Sequence, residues 1–237
     1  MAFYSQGSID ILVNLSEKYD RVYNPRISTV SPGNLSLSQR HQPLKPVTGP
    51  DAPLRLIVGL SGASGMPFAL RLLEVLHGQS VETHLIVTRA AVQTLAVETE
   101  NGYEMAKSLA DHVHSNGDIG AGIASGSFRA QGMLIAPCSV KTLAEIANGI
   151  GSSLLTRAAD VTLKERRPLV LGVRETPLHL GHLRNMIAVT EMGAIVAPPM
   201  PAFYTKSRTL DDLVNHQVQR WLDALGIPAA LAPRWKD

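Results

Sequence analysis

The sequence predicts a doubly wound, three-layer α/β domain, in which a parallel sheet carries helices on both faces. Residues 54–60, 81–87, 132–136, 168–173 and 194–197 are short runs, apolar almost throughout, as strands buried on both faces must be. Stretches with helical periodicity separate these runs, and strands alternating with helices specify a parallel sheet. The segments following the runs hold Ser, Gly, Thr and Arg where a bare connector needs none, and in such sheets ligands bind beyond the carboxyl ends of the strands.

Residues 54–60 (LRLIVGL) form the first strand, and Ser61-Gly62-Ala63-Ser64-Gly65 turns the chain into a helix over 66–76, with Leu70, Leu73 and Leu76 at helical spacing. VETHLIV at 81–87 is the second strand and 90–98 the second helix. A buried strand at 132–136 runs into Pro137-Cys138-Ser139, followed by helices at 141–147 and 153–166. Then come a strand at 168–173, a helix at 182–190, a strand at 194–197 and a long helix at 209–225, with Gly226 as its stop signal.

Composition narrows the function. A chain of 237 residues with 45% hydrophobic and 18% charged residues is globular in make-up. Its 22 basic and 20 acidic residues give a net charge of +2, which offers no reason to invoke nucleic acid or an anionic membrane surface. No apolar run reaches the length of a spanning helix. Cys138 is the lone cysteine, so no intrachain disulfide can form. No signal-peptide pattern opens the chain, and Asp10, Glu17 and Asp20 argue against a mitochondrial transit peptide, so a cytoplasmic protein is expected. Residues 1–53, rich in Ser, Asn, Pro and Gln, are expected to be a flexible extension, with one short docked element at 9–13; the domain occupies 54–237.

Several residues carry chemistry. The Ser61–Gly65 loop opens a helix, whose first N–H groups can receive a phosphate or a polar ring edge. It lacks the Gly-Lys-Ser/Thr of a P-loop and the dinucleotide fingerprint, and a tight structural turn would look the same. Arg157 and Lys164, seven apart on one helix, lie on nearly one stripe about 10 Å apart, with Asp160 placed to hold Arg157. A solvated charged face reads alike, but Arg174-Glu175 stands at a strand end, and cations beside a carboxylate suit a phosphate leaving with proton help. His112-x-His114 and His179-x-x-His182 lack companions at a ligand spacing and are expected to be surface or structural residues, with no metal. Cys138 is expected to be core.

Taken together, Val58-Gly59-Leu60-Ser61-Gly62-Ala63-Ser64-Gly65, Ala124-Ser125-Gly126-Ser127-Phe128, Pro137-Cys138-Ser139, Arg157-Ala158-Ala159-Asp160-Val161, Leu163-Lys164-Glu165-Arg166, Arg174-Glu175-Thr176-Pro177-Leu178 and Pro198-Pro199-Met200-Pro201-Ala202-Phe203-Tyr204 resemble the UbiX-type flavin prenyltransferases. The likeness runs from about Leu54 to Trp235, and is particularly close to the small subunits associated with phenolic-acid decarboxylases. It implies a Rossmann-like or flavodoxin-like flavoprotein that joins the dimethylallyl group of dimethylallyl monophosphate to reduced FMN, at N5 and then C6. The product, prenylated FMN, serves a separate decarboxylase. A homo-oligomer, possibly a dodecamer, with sites built at subunit interfaces is implied too, and no metal.

Carried over by position, Gly62, Ala63, Ser64, Thr88, Ser139, Thr142 and Arg174 would hold the flavin. Ser125, Arg157, Lys164, Tyr204 and Arg220 would surround the prenyl phosphate, and Glu98, Lys164, Arg174 and Glu175 would be catalytic, with Trp235 closing over the site. Ser152-Ser153 depart from the family's usual Asn or Asp pair, and Val140 and Gly172-Val173 also differ. A non-catalytic FMN-binding accessory subunit is the rival reading. A flavoprotein that oxidatively decarboxylates cysteinyl peptides is another, and it would not need the Arg157, Lys164 and Arg174 cluster.

Overall fold

The computed structural model describes residues 54–236; the extension expected over 1–53 and the element at 9–13 lie outside the described residues. Six strands form one sheet: β1 (Leu54–Leu60), β2 (Val81–Val87), β3 (His112–His114), β4 (Gly132–Cys138), β5 (Leu169–Val173) and β6 (Ile195–Val196). Every pairing is parallel and the order is β3-β2-β1-β4-β5-β6. From β1 in the middle of the sheet the chain winds outward to β3, returns to β4 beside β1 and winds outward the other way. The reversal between β1 and β4 opens a crevice at the carboxyl edge, where ligands bind in doubly wound sheets.

Among the described residues seven helices cover the faces: α1 (Met66–His77), α2 (Arg89–Glu98), α3 (Gly102–Leu109), α4 (Val140–Ala147), α5 (Leu154–Lys164), α6 (Leu180–Glu191) and α7 (Leu210–Ala224). Alternation along β1 sends Leu56, Val58 and Leu60 into a core with α1, α2, α3 and α7, while Ile57 joins the opposite core with α4, α5 and α6. Two strand glycines permit the closest helix approaches. A Cβ on Gly59 would lie 2.3 Å from Leu155 of α5, and one on Gly172 would lie 2.8 Å from the Trp221 ring of α7. Trp221 is fully buried and its indole N–H donates to Ala197 O at 2.8 Å.

The predicted elements are present with small shifts at their ends. α3 and β3 are additions that the sequence did not announce. Asn101 enters α3 in a left-handed conformation (φ 52°) without a side-chain cap, and β3 has three residues, two of them exposed. Ser153, half of the departing serine pair, caps α5: its Oγ accepts from Thr156 N at 3.3 Å, and Thr156 Oγ1 accepts from Ser153 N at 3.3 Å.

Candidate active site

The crevice is built from the ends of β1, β2, β4 and β5. Ser61, buried just beyond β1, ties its two flanks together: its hydroxyl donates to Pro137 O at 3.1 Å and accepts from Ser139 N at 2.7 Å. Gly62 lets the loop pass against α2, since a Cβ there would lie 2.4 Å from that of Ala90. Thr88 caps α2 by accepting from Ala91 N at 3.1 Å, and Ser139 caps α4 by accepting from Thr142 N at 3.3 Å while donating to Thr142 Oγ1 at 3.2 Å. Three helices, α1, α2 and α4, therefore begin around one crevice, their N–H groups and partial positive charge at its mouth.

Gly65 precedes α1 with φ 118° and has no side chain to cap it. Glu98, at the last turn of α2, does so instead: Gly65 N and Met66 N both donate to its Oε2 at 2.8 Å. Burial pushes the Glu98 carboxyl upward, but the Ser64 hydroxyl, the two amides and the charge of Arg174 outweigh it and hold the group below the usual carboxylate range. Arg174 follows β5, its backbone N–H donating to Cys138 O at 3.0 Å, and is exposed, as is Glu175. The crevice thus collects Gly62, Ala63, Ser64, Thr88, Glu98, Ser139, Thr142, Arg174 and Glu175. Three backed helix termini, two hydroxyl caps, a carboxylate and a free-standing guanidinium edge suit a phosphorylated, planar polar ligand.

The remaining residues stand elsewhere. α5 runs antiparallel to the strands, so Lys164 at its last position lies at the amino edge of the sheet, near the start of β5. Arg174 stands at the carboxyl edge, about 17 Å away along a five-residue strand. The expectation that Lys164 sits beside Arg174 and Glu175 is corrected for a single chain. Lys164 instead pairs with Glu165 and packs against Gly126, next to Ser125, whose hydroxyl meets that of Ser127 at 2.8 Å. Arg157 pairs with Asp160 at 2.6 Å, as the spacing predicted.

A third group gathers on α7 and the C-terminal tail. The Tyr204 hydroxyl meets His216 Nε2 at 3.1 Å, and Trp235 packs edge-on to Tyr204 with centroids 5.0 Å apart. Burial and the neighbouring charge of Arg220 lower the pKa of His216. Arg220 reaches Asp223 at 3.4 Å, and Arg234 takes both oxygens of Asp223 at 2.7 and 2.9 Å. Buried Gln219 fastens the tail by accepting from Leu231 N and Ala232 N at 2.7 and 3.0 Å. The sequence reading missed Ser61 as a latch and Gln219 as an anchor, because their partners lie far along the chain. Burial pushes the Cys138 thiol up to about 12, fitting its core assignment. His179 caps α6, accepting from Gly181 N at 3.0 Å, and its ring packs on His182 at 3.6 Å.

Known proteins share this fold. Residues 44–222 match the model of the family described as Flavoprotein. The chain is 54% identical over 182 residues to a flavin prenyltransferase UbiX of Neisseria meningitidis serogroup B, covering 77% of this chain and 96% of the relative. It superposes with a TM-score of 0.77 on AnUbiX (PadA1) in complex with FMN and dimethylallyl pyrophosphate, at 44% identity, covering 78% of this chain and 99% of the other. A dodecameric FMN-dependent UbiX-like decarboxylase of Escherichia coli O157:H7 gives a TM-score of 0.76 at 47% identity, covering 78% and 100%.

Proposed function

The chain belongs to the flavoprotein family, in the branch of the UbiX flavin prenyltransferases, and we propose that it transfers the dimethylallyl group of dimethylallyl monophosphate to reduced FMN, giving prenylated FMN for a separate decarboxylase. The observation that carries this reading is the crevice at the reversal between β1 and β4, where Glu98, Arg174 and Glu175 adjoin three helix N-termini, in a chain about half identical to flavin prenyltransferases.

Reduced FMN supplies a nucleophilic N5 and, for the ring closure, C6; the donor loses phosphate with the electron pair of its allylic C–O bond. In this reading the helix N-termini and the Ser64, Thr88 and Ser139 hydroxyls hold the flavin, and Glu98 keeps the Gly65 turn in shape through Oε2. Arg174 steadies the phosphate as its charge grows, and Glu175, exposed beside it, exchanges protons with the leaving group. Holding flavin alone would not call for Lys164, Glu175 and Arg220 in addition to Arg174, which favours an enzyme over an accessory subunit.

Lys164 and Arg174, at opposite edges of one chain, contact the same phosphate only if a neighbouring copy supplies one of them. Exposed Leu180, Leu183 and Ile187, on one stripe of α6, give such copies an apolar surface to bury, and the dodecameric relative supports an oligomer. The test is anaerobic incubation with reduced FMN and either dimethylallyl monophosphate or pyrophosphate, then mass spectrometry of the extracted flavin. A dimethylallyl adduct is expected, with phosphate released from the monophosphate or pyrophosphate from the pyrophosphate, and with EDTA leaving the yield unchanged. Recovery of unmodified FMN from both donors overturns the proposal in favour of a carrier.

A further inference from the structure

A second convergence of reactive side chains lies at the sheet edge where β2 meets β3. Parallel pairing sets His84 opposite His112 and Ile86 opposite His114. The two-residue period of each strand then puts Glu82 and His84 on the face shared by His112 and His114. The rings of His84 and His112 stack with centroids 4.6 Å apart. Glu82 divides its oxygens: Oε2 accepts from Arg55 Nε at 3.0 Å, and Oε1 faces His84 Nε2 at 3.0 Å and His112 Nε2 at 3.3 Å. Those three ligand atoms lie within 4.8 Å of one another. Behind them, His84 Nδ1 meets His114 Nε2 at 3.0 Å.

We propose that Glu82, His84 and His112 bind a divalent zinc-type ion that staples the short edge strand β3 to β2, with His114 orienting the His84 ring. Tetrahedral zinc with bonds of about 2.0–2.1 Å separates neighbouring ligand atoms by roughly 3.3 Å, close to two of the contacts seen here. When His84 donates its Nδ1 proton to His114, its Nε2 lone pair faces the lone pairs of Glu82 Oε1, an arrangement that needs a cation between them. Without metal, protons on the Nε2 atoms hold the same contacts; binding displaces them. His84 is nearly fully buried, with Phe128 edge-on to its ring at 4.8 Å, which fixes the ring's position at the inner side of the group. His112, about half exposed, is the entry side. The Arg55 charge opposes a cation, while Glu82, Asp111 and Asp118, whose charges reach this histidine group, favour it.

His84 stands four residues before Thr88, about 13 Å along the strand, so the ion would not touch the flavin crevice. The test uses full-length protein stripped with EDTA, titrated with Zn2+ by calorimetry and with Co2+ by absorption. One saturating equivalent, a Co2+ d–d band, and a rise in Tm of about 5–10 °C at a hundredfold excess over Kd are expected. His112→Ala and the more conservative His112→Asn should each abolish the band and the Tm rise, and His114→Ala should weaken Zn2+ binding about 10–100-fold. His77→Ala, a surface histidine elsewhere, should change neither, and FMN binding should persist in every variant. Absence of saturable binding to the wild type, or equal binding by the His112 variants, overturns the proposal.

Discussion

Replacing Glu98 with Gln tests whether one carboxylate builds the entrance to the crevice. Its Oε2 accepts from Gly65 N and Met66 N, both at 2.8 Å, at a turn where Gly65 (φ 118°) has no cap of its own. Gln keeps an acceptor oxygen and loses the charge that strengthens both bonds and complements the start of α1. Charge-assisted bonds exceed neutral ones by about 1 kcal/mol each, and solvent screening at this half-exposed site cuts the total to about 1 kcal/mol. For a domain of this size that lowers Tm by about 2–4 °C at pH 7. The carboxyl sits below its ordinary value when folded, so its contribution is complete above roughly pH 4.5 and fades as pH falls through the folded value. Thermal unfolding of wild type and Glu98→Gln between pH 7 and 3.5 should show two curves converging at the acid end. A gap that stays constant over this range refutes the assignment.

Glu175→Gln should leave FMN affinity intact and cut turnover about 10²–10⁴-fold, whereas Arg174→Ala should mainly raise KM for the prenyl phosphate; wild-type turnover by Glu175→Gln removes its proton role. Ser61→Ala unties the β1 and β4 loops and leaves the Ser139 amide short of a partner, so about 1–2 kcal/mol of stability and measurable FMN affinity should be lost in denaturant and fluorescence titrations. Cys138, fully buried with its thiol pKa pushed up to about 12, should resist iodoacetamide at pH 8 in the native protein and react after denaturation. Coexpressed Lys164→Ala and Glu175→Gln chains should regain turnover that neither has alone; no recovery would mean that each site draws both residues from one chain.

Much of the fold was legible because its strands are short apolar blocks and its helices carry their own stops. Ser153, Thr209 and Gly226 sit where local rules put caps and ends. The edge was less legible. β3 has no apolar run, since two of its three residues are histidines and its partner β2 supplies the order. The same cause hid the Glu82, His84 and His112 group: judged by spacing along the chain, His112 and His114 had no companions, and strand pairing provides them. Glu98 came from resemblance alone, because its bond to Gly65 spans 33 residues and leaves no local signature.

Lys164 shows what spacing can and cannot carry. Seven residues along α5 fix its stripe relative to Arg157, and that holds whatever the tertiary structure. Its relation to Arg174 depends on direction, because a crossover helix returns the chain to the opposite edge before the next strand begins. A connection of this kind always parts the end of a helix from the end of the strand it precedes. A catalytic set containing both must therefore be shared between copies or span the length of the strand. In one chain Lys164 already pairs with Glu165 and packs against Gly126 at the amino edge, facing away from Arg174. Under the proposed function, Lys164 and Arg174, ten apart in sequence, reach one phosphate through assembly, and exposed α6 is the face that such an assembly would bury.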